Sequence, residues 1–105
     1  VVLISKKTFD FNSKDSVTHS FDAGAAWENL ALQAELKGLV THGMEGFDYA
    51  KAKKDLQIPD GYSVEAMIAI GKLGKTEDLS KELQEKEMLS DRKPLEEIVI
   101  EGKFV

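Results

Sequence analysis

The chain has 105 residues, 14 basic against 19 acidic side chains, a net charge of −5 and no cysteine. That length suits one domain with a modest core. The acidic balance argues against a nucleic-acid partner, and the missing thiols exclude disulfides, thiolate catalysis and cysteine-based zinc sites. No apolar run approaches a membrane span and no signal segment is present, so a cytoplasmic protein is the expectation.

The opening run Val1-Val2-Leu3-Ile4 reads as a strand buried on both faces. A strand needing cover on both sides at residue 1 predicts preceding sequence that once supplied its neighbours. Residues 5–20 are polar and aperiodic and read as a mobile loop, with Phe9 and Phe11 as points of attachment. Asp22 is a good N-cap for a helix to about Lys37, stopped by Gly38. Ala23, Trp27, Leu30 and Ala34 make one stripe of it, and Ala25, Leu32 and Leu36 another. A helix apolar around most of its circumference is expected to be buried in a core or at a subunit interface.

Gly38-Leu39-Val40-Thr41-His42-Gly43-Met44-Glu45-Gly46-Phe47 carries three glycines and is expected to be a loop. By itself it reads as a helix stop and turn, or as a loop whose bare backbone presents N–H groups to a ligand. Asp48 then caps a helix to about Leu56, with Tyr49, Ala52 and Leu56 inward and Lys51, Lys53 and Lys54 on a solvated face. Ile58-Pro59-Asp60-Gly61 is a turn. Tyr62, Val64, Ala66, Ile68 and Ile70 alternate with their neighbours as a strand.

Gly71-Lys72-Leu73-Gly74-Lys75 is a basic loop without the spacing of a phosphate-binding P-loop. A charged surface helix is expected from Thr76 or Asp78 to Met88, broken by Ser90-Asp91-Arg92-Lys93-Pro94. Ile98, Ile100 and Phe104 alternate as a C-terminal strand suited to a sheet edge. His19 and His42 have no ligand spacing to a carboxylate, so no metal site is expected. No serine sits in a nucleophile elbow. Arg92, the lone arginine, stands beside Lys93 and ahead of Pro94 as either a fixed anion contact or a surface ion pair.

Several pieces in order resemble the C-terminal half of the FMN-dependent nitroreductase family. They are Phe21-Asp22-Ala23-Gly24-Ala25-Ala26 with Asn29-Leu30 and Leu32-Gln33-Ala34; the glycine stretch through Asp48; Ile58-Pro59; Val64 to Lys72; and Asp91-Arg92-Lys93-Pro94-Leu95-Glu96-Glu97-Ile98-Val99. The resemblance implies an α+β fold, an α/β sandwich whose central sheet is flanked by helices. It treats 1–105 as a single nitroreductase-like domain without the N-terminal part of the family fold. It also implies a homodimer with FMN at the interface.

On that resemblance Met44, Glu45 and Gly46 present backbone toward the flavin, Arg92 with Lys93 holds its phosphate, and Lys72 is a further cofactor contact. The implied chemistry is hydride transfer from NAD(P)H to a nitroaromatic or quinone-type acceptor, with no side chain of this chain as a catalytic acid or base. The family's Arg-x-Ser-x-Arg segment has no counterpart in these residues, so the chain supplies part of a flavin site and is expected to be inactive alone. Two other readings stand beside it. One is a non-catalytic dimerising interaction domain derived from that fold; the other is a module binding a different phosphate through Arg92 and Lys93.

Overall fold

A computed structural model describes residues 1–103. These divide into two compact units, Val1–Leu73 and the residues from Gly74 onward. The first unit is built on an antiparallel sheet in the order β1-β3-β2, from β1 (Val2–Lys6), β2 (Val40–Met44) and β3 (Tyr62–Gly71). Its helices are α1 (His19–Leu36) and α2 (Tyr49–Asp55).

The alternation read in Tyr62–Gly71 is the central strand, since β3 pairs with both neighbours. Leu3 faces Ala66 and Val2 faces Met67, while Gly43 faces Ile68 and Met44 faces Met67. Successive side chains point to opposite faces of a sheet, so these pairs separate into two sets. Trp27 of α1 lies against Gly43, whereas Ala52 and Leu56 of α2 share a groove with Val2 and Met67. The two helices therefore cover opposite faces, which is the helix–sheet–helix sandwich expected of this sequence. Ile68, 2% exposed, sits at its centre.

Helix α1 begins at His19 rather than after Asp22, and Thr18 at its N-cap makes no side-chain capping bond. Asp22 instead lies in the first turn, where its charge complements the helix dipole. The C-terminus follows the sequence closely. Gly38 adopts φ +71°, its N–H donates to Glu35 O at 2.9 Å, and Leu39 N–H donates to Ala34 O at 2.9 Å. That pair of bonds is a Schellman closure, which needs a left-handed residue just beyond the helix. Helix α2 closes the same way through Ile58 N–H to Lys53 O and Gln57 N–H to Lys54 O, but with Gln57 at φ +53°. Its start is as expected, with the Asp48 carboxylate accepting from Lys51 N–H at 2.9 Å.

Four expectations are corrected. The glycine stretch is not a loop throughout, because Val40–Met44 is a strand of the sheet. Gly43 serves packing there: a Cβ on it would lie 3.3 Å from Trp27 Cζ2. The loop expected over residues 5–20 is shorter, since Ser5 and Lys6 end β1 and His19 and Ser20 open α1. Thr8 bridges Asp15, Phe9 N–H donates to Lys14 O and Ser16 N–H to Lys7 O, and the Phe9 and Phe11 rings meet at 5.4 Å. Within this chain the core covers only part of β1 and α1, so of the two sites expected to bury α1 the core alone does not suffice. Val1 is 66% exposed, and α1 buries only Ala23 and Ala34 while Phe21, Leu32 and Leu36 are open to solvent.

The fourth correction concerns the second unit. The expected helix to Met88 is a 3-10 turn at Thr76–Asp78 followed by α3 (Lys81–Lys86), capped by Ser80. Too few apolar positions on that segment face a common side to hold a longer helix. The expected strand at 98–104 is also absent among the described residues, since Leu95–Ile98 forms a helical turn, α4, and no ladder follows it. Pro94 at its N-cap presets the helical entry, and Val99 N–H returns to Leu95 O at 2.8 Å. Phe104 lies outside the described residues.

Candidate functional site

Strand β2 ends at Met44, and the chain then crosses Glu45 and Gly46 before α2. Met44 is held in the ladder opposite Met67. Phe47 N–H donates to Glu45 O at 2.8 Å, which tightens the turn. Among the described residues, no hydrogen bond uses the Glu45 or Gly46 amide. A Cβ on Gly46 would meet nothing within 4 Å, so space lies beside the main chain. Two adjacent donors on an open backbone suit the polar edge of a flat ligand.

Beside this turn lies a groove of about 370 Å³ with Val2, Phe47, Ala52, Leu56 and Met67 in its walls and Asp48, Lys51 and Asp55 at its rim. Phe47 stacks on Tyr49 with ring centroids 4.2 Å apart. The Tyr49 hydroxyl reaches Glu65 O at 3.4 Å. The turn is thus braced from α2 and from β3.

Lys72 stands at the other end of the sheet. It follows Gly71, whose partner is Val40, while Met44 pairs with Met67. With a strand rise of about 3.4 Å per residue, Lys72 is on the order of 15 Å from Met44. Met44, Glu45 and Gly46 are therefore contiguous, and Lys72 is not gathered with them. Arg92 and Lys93 belong to the second unit, between α3 and α4. Arg92 Nη1 donates to Ser90 Oγ at 3.0 Å and Ser90 O at 3.3 Å. Those bonds orient the guanidinium, and its remaining N–H groups have no partner among the described residues. An exposed guanidinium held in this way suits a phosphate or carboxylate.

A polar cluster that the sequence did not disclose lies elsewhere in the first unit. The register between β1 and β3 shifts at Leu3/Ile4, with Leu3 opposite Ala66 and Ile4 opposite Val64. Glu65 is the extra residue of this bulge, and bulges re-aim side chains. Its carboxylate accepts from the hydroxyls of Ser5 and, at 2.9 Å, Ser20. His19 Nδ1 lies 2.8 Å from Ser5 Oγ and 3.5 Å from Glu65 Oε1. The Ser5 hydroxyl, with the Ser20 hydroxyl and the His19 charge behind it, holds the Glu65 carboxyl below the usual carboxylate range despite its partial burial. The only hint in sequence was a glutamate within an otherwise apolar strand, about 45 residues from its helix partners. Nothing local joins them.

The nitroreductase family profile matches residues 1–72. A solved oxidoreductase containing FMN is 44% identical to this chain with a TM-score of 0.89, over 99% of this chain and 54% of its own. A nitroreductase family protein from Streptococcus pneumoniae is 26% identical with a TM-score of 0.60, over 80% of this chain and 37% of its own. An uncharacterized 15.4 kDa protein from Mycolicibacterium smegmatis is 32% identical over 84 residues, 79% of this chain and 56% of that protein. The chain thus spans about half the length of the first and third of these relatives and 37% of the second. On the matched profile and these likenesses, the chain belongs to the nitroreductase family.

Proposed function

We propose that this chain carries part of the FMN site of a nitroreductase-like oxidoreductase that works as a homodimer in the cytoplasm. The observation that carries the reading is the open backbone at Glu45 and Gly46, found in a chain similar to an FMN-containing oxidoreductase. Bound FMN would supply hydride transfer from NAD(P)H to a nitroaromatic or quinone-type acceptor.

The protein's own residues bind and orient. The Glu45 and Gly46 amides donate to the polar edge of the ring, and fixed donors there favour negative charge as it develops. Met44, anchored in the ladder opposite Met67, fixes the approach of that backbone. Arg92 holds the phosphate through its planar fork, with Lys93 adding a point charge. Lys72, remote from Glu45 along the sheet, contacts a different part of the ligand from the ring edge. No side chain in the set moves a proton. The exposed apolar residues of α1, Phe21, Leu32 and Leu36, favour the dimeric part of the reading.

The test is FMN titration of the full-length protein that contains this sequence, followed by visible absorbance and NAD(P)H oxidation with a nitroaromatic acceptor. The expected result is a yellow protein with acceptor-dependent turnover, and Arg92→Ala weakening FMN binding by roughly 10- to 100-fold, the worth of a charged hydrogen bond. A colourless protein without FMN affinity overturns the reading. A stable dimer indifferent to FMN would instead select the interaction-domain reading.

A further inference from the structure

The Ser5–His19–Ser20–Glu65 cluster has a directed hydrogen-bond order that the proposed flavin chemistry does not use. Ser5 and Ser20 each have one hydroxyl proton, and both donate to Glu65 Oε1. Their oxygens can then only accept from His19, which lies 2.8 Å from Ser5 Oγ and 3.2 Å from Ser20 Oγ through Nδ1. Nδ1 is therefore the protonated nitrogen, and in the neutral ring Nε2 carries the lone pair. No hydrogen bond among the described residues uses Nε2.

His19 also lines an open cavity of about 380 Å³ between β1, the 8–15 turn and the first turns of α1. Ligand clefts begin at about 300 Å³, so the space is adequate for a ring-sized molecule. Every residue in its wall falls between Leu3 and Ala26. His19, Asp22, Ala23 and Ala26 all line it, at the spacing that puts them on one face of α1. Leu3, Ile4 and Phe9 supply apolar surface opposite, and Ser5 and Ser16, 7% and 6% exposed, are the buried polar groups among its lining.

The charges around the cavity select a neutral ligand. Of the charged groups that line it, Lys6 and Asp10 are paired with each other and Asp22 faces the N-terminal dipole of α1, so none is left to draw a charged ligand. What fits is an apolar body with one hydrogen-bond donor for the oriented His19 Nε2. We propose that this cavity binds a small hydroxylated aromatic of the phenol class, its O–H donating to His19 Nε2 and its ring lying on Leu3, Phe9 and Ala23. His19 is then a binding residue, while Ser5 and Glu65 position it.

The experiment titrates the full 105-residue chain at about pH 8, above the usual imidazole range, with phenol and separately with toluene. Binding is followed by NMR at the His19 ring and the Ala23 and Ala26 methyls. Phenol is expected to give saturable shifts at these groups and to bind roughly five- to tenfold more tightly than toluene, the worth of one hydrogen bond. His19→Phe is expected to erase that preference while toluene still binds. Glu65→Gln, which loosens the orientation of the ring, should reduce the preference without abolishing it. Equal affinity for the two probes overturns the proposal, as do shifts centred elsewhere or no saturable shift at all. Because the two probes are compared on the unaltered chain, the outcome holds even where a variant fails to fold. It is read without FMN, so its failure leaves the flavin reading untouched.

Discussion

At the scale of single residues, two positions are fixed by what their neighbours demand. Glu65 is the acceptor for two hydroxyls and the partner of His19. Its carboxyl is lowered in the folded chain, so the stability it contributes is present above the unfolded value of about 4.3 and is lost as pH falls through the folded one. Glu65→Gln should therefore flatten the acid limb of a stability-versus-pH curve, and cost about 1 kcal/mol at neutral pH as a charge-assisted acceptor becomes a neutral one. Urea midpoints at a series of pH values check both. Gly43 is the other case. A Cβ there meets the Trp27 indole at 3.3 Å, so Gly43→Val should destabilise by about 1–3 kcal/mol although valine favours strands. Chemical denaturation measures it, and a gain in stability would show that Trp27 gives way.

At the scale of elements, the two Schellman closures are a matched pair with different residues at the left-handed position. Gly38 takes it without strain, while Gln57 at φ +53° does not. Left-handed backbone costs an ordinary residue about 1–2 kcal/mol, partly offset by the greater entropy glycine loses on folding. Gln57→Gly should stabilise the chain by about 0.5 kcal/mol, seen as a higher midpoint in thermal unfolding. The start of the same helix gives the opposite sign. Asp48→Ala removes the bond to Lys51 N–H and should cost about 1 kcal/mol by the same assay. These ends were legible in sequence because caps depend on residues only a few positions apart. The start of α1 was not, since His19 and Ser20 join the helix where their side chains reach Ser5 and Glu65 in the sheet.

At the scale of the whole molecule, α1 presents Phe21, Leu32 and Leu36 to solvent, where the sequence reads as buried in a core or at a subunit interface. Apolar exposure of this kind on an 18-residue helix is the ordinary mark of an interaction face. Under the homodimer reading, Leu36→Lys should lower the apparent mass by light scattering and leave the unfolding midpoint of the dilute chain within about 0.5 kcal/mol of the parent. An unchanged dimer would place the interface elsewhere.

Local pattern alone announces a strand over Tyr62–Gly71, the cap at Asp48 and the closure at Gly38. Each of these is written in hydrophobic period or in turn chemistry over a few residues. The sequence also carried the resemblance that marks the family and the turn at Glu45 and Gly46. Folding alone makes Val40–Met44 a strand, because its hydrogen bonds go to β3, a partner far along the chain. It alone decided that Gly43 is a packing glycine beneath Trp27, that Lys72 stands apart from Met44, and that Ser5, His19, Ser20 and Glu65 meet at a bulge. Those facts rest on strand register and side-chain contact between distant residues, for which local pattern holds no signal.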